Sequence, residues 1–275
     1  MVIDCHTHIF PPAMIDARAE VSRRDDWFGE LYGGGARMAT RDDLLRSMDR
    51  AGVDKSVVMG FGWKREGDCT TGNDYIMESS ARSDGRFLPF ISVVPGDHDA
   101  EFDRWAGSHL YGVGELYADS QGFDMRDASS LAPLLEACLK RDLFLCVHVS
   151  EPAGHVYPGK DGNGPAQVAA FVRNMPPDLK LILPHWGGGF GFYELMPEIA
   201  ARTSNCFYDS AASHLLYDQH VYGLMTRLAP GRVLFGSDFP LTSQRRMLRP
   251  VRDAGLDEDD LAAFLGDNAV RAGLT

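Results

Sequence analysis

Two histidines, His6 and His8, stand two residues apart at the end of the first apolar run, Met-Val-Ile-Asp-Cys. In an extended strand every second side chain leaves the same face, so both imidazoles can chelate one cation. Imidazole nitrogen suits zinc and its divalent neighbours; a catalytic site adds further protein ligands and keeps one position for water or substrate. Taken alone, a His-x-His pair is equally well a strand end with incidental histidines. Later residues shift the balance: His148 ends Leu143-Phe-Leu-Cys-Val, His185 ends Leu181-Ile-Leu-Pro, and Asp238 follows Val233-Leu-Phe-Gly-Ser. Metal-capable groups at the ends of several separate strands are the mark of a site assembled at one mouth.

The elements that must position them are legible as short β-rich runs: Val2 to Cys5, Ser56 to Met59, Phe87 to Val93, Tyr111 to Gly114, Leu143 to Val147, Leu181 to Leu183, Cys206 to Tyr208 and Val233 to Phe235. Most are continuously apolar, as parallel strands covered on both faces require. Helical patterns separate them. Thr40 to Gly52 opens on an N-cap threonine and closes on glycine; others span Asn73 to Arg82, Asp97 to Ala106, Ser129 to Lys140, Pro165 to Arg173, Tyr193 to Ala201, Gln219 to Leu228 and Ser243 to Ala254. An open doubly wound sheet shares this alternation. Strand number and the placement of the motifs favour a single α/β domain over residues 1–275, a (β/α)8 TIM barrel with its metal site at the carboxyl ends of the strands. Two connections exceed what such a barrel needs, Ile9 to Ala39 and Val149 to Gly164, and both follow strands, where long loops form lids or substrate walls.

With 44% hydrophobic residues and a formal net charge of -12, the chain can bury a large core and lacks the clustered cations of nucleic-acid binders. An anionic substrate stays admissible, because a metal and a few local cations reverse the potential in one pocket. The cysteines, Cys5, Cys69, Cys138, Cys146 and Cys206, are odd in number and have no CxxC spacing, which fits a reduced compartment and buried apolar roles. The first residues lack the basic and apolar segments of a signal peptide, and no run approaches the roughly 18 apolar residues that span a bilayer. A soluble cytoplasmic protein without nucleic-acid or membrane partners is the expectation.

The whole set, from His6-Thr7-His8 through His148 and Leu183-Pro-His-Trp-Gly-Gly-Gly189 to Phe235-Gly-Ser-Asp-Phe-Pro240, resembles the amidohydrolase superfamily. The likeness is to its amidohydrolase-related branch of metal-dependent hydrolases and nonoxidative decarboxylases. It implies that His6, His8, His148 and Asp238 bind one divalent metal, zinc by preference, and that Asp238 takes a proton from the metal-activated water. His185 would coordinate or polarise a substrate carbonyl. Binuclear members place a carboxylated lysine after the fourth strand; here Gly112-Val-Gly-Glu-Leu116 puts Glu115 near that point. Glu115 is then either a ligand that admits a second metal or a strand-end carboxylate paired with a neighbouring cation. One metal is the expectation, and relatives' habits suggest a homodimer.

Around that site, Arg65 with Trp63 and Lys64 offers a planar cation and an apolar wall to a substrate carboxylate, against the plainer reading of a solvated loop. His155 and His214, in the fifth and seventh connections, are further substrate candidates. His98 and His109 read as surface histidines. Gly187-Gly-Gly189 lacks the lysine and serine of a phosphate loop and suits close backbone approach. The leading functional expectation is hydrolysis of a small amide, lactone or similar carbonyl compound. Nonoxidative decarboxylation of an aromatic or unsaturated carboxylic acid is the alternative. A barrel that binds metal without catalysis is disfavoured by the complete residue set.

Overall fold

Apolar runs without polar alternation must be covered on both faces, and each of the eight expected runs is indeed a buried strand. The computed structural model describes residues 1–96 and 98–275. One sheet of eight parallel strands runs in sequence order: β1 (Ile3–His8), β2 (Lys55–Met59), β3 (Phe87–Ile91), β4 (Gly112–Leu116), β5 (Phe144–Val147), β6 (Lys180–Leu183), β7 (Cys206–Asp209) and β8 (Val233–Leu234). The last strand is the shortest, and the chain beyond it closes the barrel against β1. Cys5 N–H donates to Phe235 O (2.7 Å), Asp238 N–H to His6 O (3.0 Å) and His8 N–H to Phe239 O (2.7 Å).

The core has three parts. Cys5, Met59, Phe90, Cys146, Ile182, Phe207 and Leu234, drawn from seven strands, share one buried cluster, which only the barrel interior can provide. On β4 glycine takes that inward position: a Cβ on Gly112 would lie 2.4 Å from the Phe90 ring. A second cluster lies between strands and helices, where Val58, Ile91 and Leu145 meet Met48, Leu134 and Phe171. The third, above the mouth, joins Phe10, Phe28, Tyr32, Phe61, Trp63 and Tyr117.

Two strands carry an extra residue. The β1–β2 register steps from Asp4↔Ser56 to Thr7↔Val58, and β4–β5 from Val113↔Leu145 to Leu116↔Val147. A bulge reverses which side chains face inward. Below it Ile3 and Cys5 fill the barrel; above it His6 and His8 face the mouth.

The helix expectations hold with shifted ends. Arg41–Ala51 has Thr40 and Asp43 as a reciprocal capping box and left-handed Gly52 (φ 71°) as its stop. The pattern begun at Asn73 starts earlier, as Glu66–Ala81, and the one from Asp97 is the helix Asp99–Arg104, Asp97 itself lying outside the described residues. Tyr193 to Ala201 is not continuous: a 3-10 turn, Phe190–Leu195, gives way to Pro197–Arg202 because Pro197 has no N–H to extend the preceding turn. The long first connection contains three short helices, Pro12–Asp16, Arg18–Arg24 and Asp26–Tyr32. His98, expected on the surface, is buried against Phe102, at 5.7 Å between ring centroids, while His109 is exposed. All five cysteines are free and buried. Among the described residues no helix is long and apolar enough to cross a membrane.

A buried ion pair locks the β6–β8 side. Glu194 accepts from Arg232 Nη1 and Nη2 (2.8 and 2.6 Å), Tyr208 OH (2.6 Å) and Thr203 Oγ1 (2.7 Å). Burial alone would raise the Glu194 pKa, but the Arg232, Tyr208 and Thr203 hydrogen bonds hold it below the ordinary value. Its stabilising contribution is therefore complete at neutral pH and disappears only as acid passes below the usual carboxylate range. Glu194→Ala leaves Arg232 without its carboxylate and is expected to cost about 3–5 kcal/mol by urea denaturation at pH 7. The loss should shrink towards pH 3.

Candidate metal centre

Six strand ends build the mouth. β1 supplies His6 and His8, β4 supplies Glu115, β7 supplies Asp209, and the residues just after β5, β6 and β8 are His148, His185 and Asp238. All are buried. The hydrogen bonds on the inner nitrogens set the tautomers. His6 Nδ1 donates to Asp209 Oδ2 (2.8 Å) and His8 Nδ1 to Gly60 O (2.9 Å), which leaves both Nε2 lone pairs free.

Those two Nε2 atoms face one another at 3.1 Å. Two lone pairs at that separation repel unless a proton or a cation lies between them. Glu115 Oε2 lies 3.6 and 3.7 Å from the same two nitrogens, and Asp238 Oδ1 lies 3.9 and 3.8 Å away. Nitrogen and carboxylate donors spaced in this way suit a single divalent ion, and the residues therefore fit a metal.

His148, expected beside His6 and His8, is placed differently. Its Nδ1 donates to Glu115 Oε1 (2.9 Å), and its Nε2 lies 3.2 Å from Gly159 O and 3.3 Å from Ser150 Oγ, a setting beside a carboxylate that favours the charged imidazole. Burial opposes that charge, but the Glu115 carboxylate prevails and raises the His148 pKa to about 9. With Glu115 and His185 it forms a second trio whose donor atoms lie within 4.8 Å of one another. Burial likewise opposes charge on Glu115 and His6. The imidazoles of His6 and His148 nonetheless hold Glu115 well below its ordinary range, and Asp209 and Glu115 raise His6 well above its own. His8 is lowered, by burial and then by His6.

Local backbone aims the remaining groups. His185 begins five successive residues with positive φ (53°, 61°, 66°, 59° and 94°) ending at Gly189. A Cβ at Gly188 would sit 2.4 Å from Ser150 O, so the glycine run does bring the β6 end close against the β5 loop. His185 N–H donates to Asp209 Oδ1 (3.2 Å) and its Nδ1 to Ala211 O (2.9 Å), directing Nε2 to the mouth. Asp238 is also left-handed, at φ 62°. The residue before it is clamped by Asp4, which accepts from Ser237 N–H (2.9 Å) and Oγ (2.6 Å) and from Gln244 Nε2 (2.9 Å). Burial pushes the Asp4 pKa up to about 6.

Above the donors lies a cavity of about 360 Å³. Tyr32 and Tyr117 wall it, with Leu31 and Ala36 from the first long connection and His155, Tyr157 and Pro158 from the second, so both expected loops line the site. Tyr117 stacks on His148 (centroids 4.5 Å apart) and its hydroxyl donates to Glu115 Oε2 (2.9 Å). Of the substrate candidates, only His155 reaches the cavity. Arg65 is exposed ahead of Glu66–Ala81, Trp63 is buried in the aromatic cluster, and His214 turns its Nδ1 to Met247 Sδ. The sequence reading missed Asp209, Asp4 and Tyr117. A carboxylate at the end of the seventh strand was the available signal for Asp209.

The family model Amidohydro_2, described as amidohydrolase, matches residues 3–272. No curated protein sequence matches the chain. Among solved structures, 5-carboxyvanillate decarboxylase LigW from Sphingomonas paucimobilis aligns with TM-score 0.73 at 18% identity, covering 98% of each chain. The 2,6-dihydroxybenzoate decarboxylase from Rhizobium aligns with TM-score 0.72 at 16% identity and 98% coverage of each. The 5-carboxyvanillate decarboxylase from Novosphingobium aromaticivorans, complexed with manganese and 4-hydroxy-3-methoxy-5-nitrobenzoic acid, aligns with TM-score 0.75 at 14% identity, covering 99% of this chain and 95% of that one. These likenesses establish the TIM-barrel fold.

Asp209 orients His6 through Oδ2 and His185 through Oδ1, so its charge supports two potential ligands at once. Asp209→Asn is expected to weaken divalent-metal affinity about 10–100-fold, read by chelator competition, with the far-ultraviolet circular dichroism unchanged.

Proposed function

From the premise that this chain belongs to the amidohydrolase family, we propose that it is a divalent-metal-dependent carboxy-lyase, removing carbon dioxide from an aromatic or unsaturated carboxylic acid without oxidation. The observation that carries this reading is the cavity: buried metal donors at its floor, tyrosine faces at its sides and leucines above, a shape suited to a flat acid held carboxyl-first. Sequence alone put hydrolysis ahead. Solved relatives that act as decarboxylases on hydroxylated aromatic acids and align over nearly their whole length support reversing that order.

His6, His8 and Asp238, with Glu115 completing the set, would hold the ion, for which we propose zinc. When bound, a divalent ion acts as a Lewis acid on substrate oxygens and neutralises the carboxylate. The protein does the rest. Asp209 and the Gly60 carbonyl hold the two β1 imidazoles in their ligand tautomers. Tyr32 and Tyr117 confine the ring. Asp238, at the cavity edge, takes a proton from solvent water and delivers it to the carbon bearing the carboxyl group. The carbon–carbon bond then breaks, its electron pair returns to that ring carbon, and carbon dioxide leaves. His185 Nε2 faces the same space and hydrogen-bonds a substrate oxygen. In this reading His6, His8 and Asp238 are the proposed ligands, His185 addresses the substrate, and His148 acts through Glu115.

Hydrolysis of a small amide or lactone is the second reading. The Glu115, His148 and His185 trio favours it, since a second ion there would create the paired centre of binuclear hydrolases.

Metal-loaded protein assayed against hydroxybenzoates, unsaturated acids, lactones and amides separates the two. Carbon dioxide release supports decarboxylation; proton release without it supports hydrolysis. Asp238→Asn is expected to lower kcat about 10²–10⁴-fold, with metal content measured alongside. Activity that survives both this change and exhaustive chelation sinks the metal mechanism.

A further inference from the structure

The floor of the cavity is charged, but its upper end is not. Leu31, from the first long connection, Leu215 and Leu216, after β7, and Leu241, after β8, all line the cavity. Two of the four are substantially exposed, Leu215 at 52% and Leu241 at 40%. Apolar side chains converging from three separate loops on a pocket mouth are an arrangement that a ligand completes.

Charge at that end is informative too. Among the described residues no lysine or arginine lines the cavity. Cations lie nearby but outside the lining: Arg18 and Arg246 act on Tyr32 and His214, Arg37 stands over the Phe239 ring, and Lys160, 5.5 Å from the Tyr157 ring centroid, is held by Ala153 O (2.7 Å) and His155 O (3.0 Å). The polar groups above the floor are His155 and Tyr157, and the Tyr157 hydroxyl is already committed to Glu151 Oε2 (2.7 Å). An anionic group carried at the far end of a substrate would thus leave water without a lysine or arginine of the lining to replace it, a desolvation that is costly unless paired.

Resting on the carboxy-lyase reading, we infer that the substrate has one carboxylate, directed to the floor, and an apolar substituent opposite it that packs among Leu31, Leu215, Leu216 and Leu241. This sets the chain apart from an enzyme for a dicarboxylate. Leu241 and Leu215 are then specificity-determining residues: they select the far end of the substrate and take no part in bond breaking.

The test is equilibrium binding to metal-loaded protein by calorimetry, so that it does not depend on turnover. The probes are 2-hydroxybenzoate, 2-hydroxy-4-propylbenzoate and 2-hydroxyterephthalate, which carry hydrogen, an alkyl chain or a second carboxylate at the same position. Each buried methylene is worth about 0.8 kcal/mol, so the propyl acid is expected to bind roughly 10–50-fold more tightly than the parent. The dicarboxylate should bind more weakly than the parent. Leu241→Arg and Leu215→Arg, both at solvent-exposed positions and each checked by thermal melting, should reverse that order. Overturning results are a dicarboxylate that binds wild type as well as the propyl acid does, no gain from the propyl chain, or arginine variants with the wild-type order. Tight, selective binding of the propyl acid with no carbon dioxide release would leave this inference standing and defeat the carboxy-lyase reading alone.

Discussion

The site depends on the seam where the barrel closes. β8 contributes only Val233–Leu234 to the sheet, and the three hydrogen bonds joining β1 to residues 235–239 complete the cylinder. The same bonds tie Asp238 to His6 through Asp238 N–H and His6 O. Closure of the fold and assembly of the first three donors are thus one event. Asp4 reinforces it from outside the barrel by holding Ser237 and Gln244 at once. A separate structural core and a separate catalytic constellation are not needed here, because the sequence-distant ends of the chain meet at the functional centre.

Across the mouth the problem is electrostatic. Glu115, Asp209 and Asp238 are brought among four buried imidazoles where water cannot screen them. The carboxylates favour protons on their imidazole neighbours: Glu115 on His148, and Asp209 with Glu115 on His6. A metal replaces protons in such a site, so ion binding and protonation compete for the same lone pairs.

The barrel was largely legible from the chain because continuous apolar runs, caps such as Thr40 and the residues after each run all point the same way. Boundaries were less so. Glu66–Ala81 begins well before its apolar pattern becomes regular, and the stretch around Tyr193 reads as one helix although Pro197 divides it. For the site, residues that present a lone pair were visible by type and position. Residues that act by accepting a hydrogen bond, Asp209 and Asp4, look like any other strand carboxylate until the fold brings their partners near. Arg65 and Trp63 failed for a related reason: loop proximity in sequence carried no information about direction, and aromatic packing with Phe28 and Phe61 drew Trp63 away from the cavity.

The bulge in β1 has a consequence for how this protein can change over time. Between Asp4 and Thr7 the strand spends one residue more than its neighbour, which lets Cys5 serve the barrel interior while His6 serves the mouth. Deleting that one residue would preserve composition, hydropathy and nearly all pairing, yet would turn the whole upper half of the strand inside out. Drift by substitution is therefore graded at this strand, whereas drift in length is all-or-none. Innovation is channelled to the loops, whose side chains line the cavity without setting the phase of any strand.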